Sequence, residues 1–115
     1  MTSDRPLLLA ALLLTAGLIR PAPAGAEAGW TDYGYVQEFR PTTAGRFLFR
    51  LPVKENPSGC SEKEWFFRDH TGPGAEHIFR ILLRSVEDNL PVRVHVTGTC
   101  DHNGYSAVNA AAVAP

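Results

Sequence analysis

Residues Ala75 to Cys100, AEHIFRILLRSVEDNLPVRVHVTGTC, change hydrophobic period in mid-course, and that change decides the fold class. From Ala75 to Asp88 the apolar residues Ala75, Ile78, Phe79, Leu82 and Val86 recur at helical spacing, while Glu76, Arg80, Arg84 and Glu87 occupy another stripe. Thr71-Gly72-Pro73-Gly74 supplies the start punctuation, Asn89 is suited to a left-handed C-terminal cap, and Pro91 stops continuation. Glu76 and Arg80 form a favourable i,i+4 pair. Arg80 and Arg84 stand one turn apart and repel, which favours an acidic partner across an interface. Beyond Pro91 the period becomes two: Val92, Val94 and Val96 alternate with Arg93, His95 and Thr97, a strand with one buried face.

Outward from this stretch, four more strands are predicted. Trp30 to Phe39 is aromatic and β-branched, bent or bulged at Gly34. Pro41 to Gly45 turns the chain. Arg46 to Val53 then buries Phe47, Phe49 and Leu51 on one face, with Pro52 at its end or on an edge. Lys54 to Lys63 is a polar loop holding Cys60, and Glu64 to Arg68 makes a short third strand. After the turn Gly98 to Gly104, Tyr105 to Val113 is either a fifth strand or, because its alanines are poor strand formers, a frayed tail. The chain is thus mainly β with one helix. Its order β-β-β-α-β-β is that of an OB-like five-stranded Greek-key barrel.

The N-terminal end predicts export. Leu7 to Ile19 is an uncharged run of thirteen residues, too short to cross a hydrocarbon core of about 30 Å and suited to the central region of a signal peptide. Small residues allow cleavage after Ala24, Ala26 or Ala28, with Ala26 favoured; a buried N-terminal helix is the competing reading. Residues 1–26 are therefore assigned to a signal peptide and 27–115 to a single OB-like domain, in a secreted or periplasmic protein. Its nine basic and eleven acidic residues give a net charge of −2. That balance excludes generic attraction to nucleic acid, and no second apolar run predicts membrane insertion.

A domain of this size has a marginal core, and a covalent tie would support it. Cys60 and Cys100 make an even pair in an exported chain, so a disulfide is expected in preference to a metal site. The topology agrees. If the helix plugs one end of the barrel, the start of the third strand and the end of the fourth share the other end. A parallel βαβ crossover would instead leave the cysteines a strand length apart, beyond the roughly 7 Å limit for bridging.

The segment Ile78 to Cys100 resembles small exported bacterial proteins related to the binding subunit of subtilase-type AB5 toxins. Those subunits are OB-fold barrels that assemble as pentamers and bind cell-surface glycans. The resemblance spans about a quarter of the domain. It implies Cys60, Cys100 and the strand Val92 to Val96 as framework, and it transfers no sugar-binding residue.

Functional residues are few. Tyr33 and Tyr35 share one face of the first strand, and Tyr105 follows the last turn; such rings pack on a sugar or a partner while their hydroxyls stay wet. Asp32, His102 and Asn103 can add hydrogen bonds, although half-core and half-surface packing accounts for the same aromatics. His95, Asp101 and His102 are the nearest approach to a catalytic or metal-ligating set, but they read more simply as an outward-facing strand histidine followed by a polar turn. Arg46 and Arg50 read as a solvated face. No nucleophile elbow, phosphate loop or zinc spacing occurs. The expectation is a non-catalytic binding or assembly subunit without cofactor or metal, taking a glycan or an exported partner protein and self-associating, a pentamer by analogy. The alternatives are a nuclease-type hydrolase using His95 and His102, and a structural envelope protein.

Overall fold

The structure is a computed structural model that describes residues 27–115; the expected signal peptide, residues 1–26, lies outside the described residues. Helix α1, Ala75–Asp88, begins behind Gly74 in the left-handed region and ends at Asn89, whose φ of 51° and backbone N–H bond to the Ser85 carbonyl complete the predicted cap. Its inward residues are Ala75, Ile78, Leu82 and Ser85. The expected inward Val86 is instead 46% exposed, and Leu83 is 40% exposed. Only at the last turn does the inner face differ, with Ser85 in place of Val86, and the buried Ser85 is tolerated because its hydroxyl donates to the Leu82 carbonyl at 2.7 Å. The expected Glu76–Arg80 ion pair does not form; the i,i+4 pair on this helix is Arg84 with Asp88.

Six strands build one mixed sheet: β1 Gly29–Trp30, β2 Glu38–Pro41, β3 Arg46–Arg50, β4 Trp65–Asp69, β5 Val92–Cys100 and β6 Ser106–Val113. Their order is β1-β5-β6-β4-β3-β2, antiparallel throughout except for the parallel β4–β6 pair. The sheet has six strands where five were expected, and its ladder does not close into a barrel, with β1 and β2 at its two ends. The predicted first strand, Trp30 to Phe39, has divided. Its early part bonds to β5, through Thr31 N–H to Val94 O at 2.9 Å and a mutual bridge between Gly34 and Val92. Gln37 N–H then turns to Arg50 O on β3. Gly34 permits the transfer, because a Cβ there would stand 2.5 Å from the Pro52 carbonyl oxygen. Gly34→Ala is expected to destabilise the fold by about 1–3 kcal/mol, measured as a lower urea midpoint; an unchanged midpoint would show that the Pro52 carbonyl yields freely.

The last segment is a strand despite its alanines. β6 pairs with β5 along most of its length, from Val92↔Val113 to Cys100↔Ser106, with two register shifts. Where its parallel pairing with β4 stops at Phe67↔Ala107, Arg68 continues the connection by donating to Val108 O at 3.2 Å and to Pro73 O at 2.7 Å.

The core lies between the inner sheet face and α1, and consists of Phe47, Phe49, Leu51, Phe66, Ala75, Ile78, Leu82, Val92, Val94, Val96 and Val108. The period-2 residues of both predicted strands, Phe47-Phe49-Leu51 and Val92-Val94-Val96, are all fully buried. Cys60 and Cys100 form the expected disulfide with Cα atoms 5.6 Å apart. Hydrogen bonds reinforce that tie. Ser58 Oγ and Ser106 Oγ lie 2.8 Å apart, and Asn56 donates to Ser106 Oγ and to Lys63 O, fixing the 51–64 connection against β6. Among the described residues no helix is long and apolar enough to cross a membrane.

Candidate functional site

On β5 the alternation that buries the valines turns Arg93 and His95 outward. The β1–β5 register sets Trp30 opposite His95, and their rings meet edge to face with centroids 5.3 Å apart. Arg93 is held between two aromatic rings, its guanidinium carbon 4.7 Å from the Trp30 centroid and 5.2 Å from that of Tyr33. Each such contact contributes about 0.5–1 kcal/mol when exposed. Trp30 and Tyr33 nevertheless remain 41% and 45% exposed. On the neighbouring strand, Asn109 Oδ1 lies 2.8 Å from His95 Nδ1.

Three of the sheet's arginines are paired. Arg40 pairs with Glu38, Arg46 with Asp101 at 3.0 Å and Asp69 at 3.5 Å, and Arg50 with Glu64 at 3.3 Å. Among the described residues Arg68 and Arg93 have no carboxylate partner, and the Nε of each is buried without an acceptor. Arg68 donates its terminal N–H groups to the Val108 and Pro73 carbonyls, whereas Arg93 has no such bond among the described residues and lies against flat apolar rings. Aromatic surface, unpaired donors, an imidazole and an amide together suit a ligand with an apolar face edged by hydroxyls.

The residues expected from sequence do not gather at one place. Tyr33 belongs to this face. Tyr35 is exposed, with its carbonyl accepting from Gln37 Nε2. Tyr105 stacks on Trp65, centroids 5.5 Å apart, and Arg40 lies 4.9 Å from the same Trp65 ring, forming a second aromatic group on β2 and β4. His102 and Asn103 are exposed in the β5–β6 turn, where Asn103 N–H donates to Asp101 Oδ1. The same Asp101 oxygen accepts from Tyr105 N–H, and the other carboxylate oxygen accepts from Arg46, so this side chain shapes the turn. His95, Asp101 and His102 are not brought together, and no group of three metal-ligating side chains occurs among the described residues. Sequence reading missed Trp30, Arg93 and Asn109 as site residues. The available signal was the outward alternation of Arg93 and His95 in a strand whose partner was unknown.

Asp32 holds backbone rather than facing the aromatic group: its carboxylate accepts from the N–H groups of Lys54 at 3.2 Å and Glu55 at 3.0 Å. Desolvation pushes its pKa up, but the Glu55 and Lys54 amides and the Lys54 charge outweigh that and hold it below the ordinary aspartate value. A carboxyl depressed in the folded state stabilises above its unfolded pKa, and the contribution disappears as pH falls through the folded value. The stability difference between wild type and Asp32→Asn is therefore expected to be full at neutral pH and to close in acid, measured as urea midpoints at the two pH values. An equal difference at both would contradict this role.

A second surface feature is apolar. Val36, Phe39, Pro41, Phe79, Leu83 and Val86 line an open groove of about 370 Å³ between α1 and β2. No family model matches the chain, and no curated protein matches it.

Proposed function

We propose that this protein is an exported, non-catalytic sugar-binding subunit of OB-like topology, whose ligand surface is the outer face formed by Trp30, Tyr33, Arg93, His95 and Asn109. The observation that carries the reading is Arg93, an arginine without an acidic partner among the described residues, stacked between two half-exposed aromatic rings. Sugars present an apolar face of C–H groups and a rim of hydroxyls. Trp30 and Tyr33 serve the former; Arg93, His95 and Asn109 serve the latter.

The topology supports an OB-like assignment. β1 and β2, the two ends of the ladder, belong to one continuous stretch of chain that passes from β5 to β3, and α1 lies between the strands β4 and β5. The disulfide supports an oxidising compartment. The resemblance to toxin-type binding subunits points the same way. The groove carrying Leu83 and Val86 supports self-association, checked by light scattering on the purified protein; a strict monomer would remove this part of the reading.

The test is a glycan microarray followed by titration of the retained glycans. Trp30→Ala and Tyr33→Ala are each expected to weaken binding more than about tenfold, through loss of ring contact and of the order imposed on Arg93. Retention of glycans by both variants at wild-type strength would displace the site.

A further inference from the structure

We propose that Asn109 fixes the tautomer of His95 and so gives the Trp30 face an acceptor for a ligand hydroxyl. This rests on the sugar-binding reading above and assigns a positioning residue of that same site.

A carboxamide oxygen can only accept, so the 2.8 Å contact between Asn109 Oδ1 and His95 Nδ1 places the imidazole hydrogen on Nδ1. The neutral ring then has its lone pair on Nε2. That nitrogen has no hydrogen-bond partner among the described residues, and it is not among the buried unpartnered atoms, so it meets solvent. Arg93 beside it offers only donors. A sugar hydroxyl both donates and accepts, and needs an acceptor for its hydrogen as well as a donor for its oxygen. His95 Nε2 supplies the acceptor, and the Arg93 N–H groups, two positions away on the same strand face, supply donors.

Two measurements test the proposal. In protein ¹⁵N-labelled at histidine, the ring nitrogens of His95 are expected to show the Nδ1–H tautomer when neutral, and Asn109→Ala to return the ring towards the Nε2–H form. An Nε2–H tautomer in the wild-type protein overturns the inference whether or not a sugar binds. The second measurement titrates a panel of neutral methyl glycosides. Affinity is expected to fall several-fold at neutral pH in Asn109→Ala. Affinity unchanged in Asn109→Ala overturns the proposal while leaving sugar binding standing. Failure of every glycoside to bind overturns the sugar reading and leaves Asn109 only its effect on the imidazole.

Discussion

Replacing both Cys60 and Cys100 by serine is expected to lower the unfolding free energy by about 4 kcal/mol, enough to leave a domain of this size largely unfolded at body temperature. The bond closes a loop with a sequence separation of 40, which sets the entropy it removes from the unfolded chain. Inside that loop lie β4, α1 and most of β5, so the crosslink restrains the parts of the fold that meet through long-range pairing. Urea unfolding of oxidised wild type against the double serine variant measures the effect. The hydrogen bonds of Asn56, Ser58 and Ser106 hold the same corner. An unchanged midpoint would mean that these polar contacts suffice, and that the covalent tie is redundant.

A second large effect is expected at Phe49. The side chain is fully buried, stacked on Phe66 with centroids 5.3 Å apart, and lies on the inner face of β3 with Phe39 opposite. Phe49→Ala removes a large apolar surface and leaves a cavity that the stacked ring and the sheet backbone fill only partly. A loss of about 3–5 kcal/mol follows. Partly buried Leu48 on the neighbouring position, on the other face of β3, is the internal control, since Leu48→Ala is expected to change stability less. Equal effects at both positions would contradict the assigned inner face of β3.

Much of the scaffold is written locally in the sequence. Val92, Val94 and Val96 declare a buried strand face without reference to any partner, and Ala75 to Asp88 carries both its period and its stop signals. Features that depend on distant partners were not legible. Gly34 announces a bend, but whether the bend bulges a strand or hands the chain from β5 to β3 depends on Val92 and on the Pro52 carbonyl. The choice of Ser85 over Val86 for the inner helix face depends on how α1 seats against the sheet. The alanines of β6 have weak strand propensity, and pairing with β5 overrides it. The candidate site shows the same division. Tyr33 could be singled out as an exposed aromatic, whereas Arg93 became a site residue only through the register that sets Trp30 against His95. Tyr105, grouped with Tyr33 by residue type, stacks instead on Trp65 in a separate aromatic group.

The most direct test of the binding face uses Trp30 as its own reporter. Trp65→Phe keeps an aromatic ring at the second group and leaves Trp30 as the chain's sole tryptophan. Titrating this variant with glycans from the array is predicted to change the Trp30 emission in proportion to sugar bound, and Tyr33→Ala in the same background is predicted to reduce both together. A glycan that binds while the Trp30 emission stays constant, or an array on which no glycan is retained, would contradict the account.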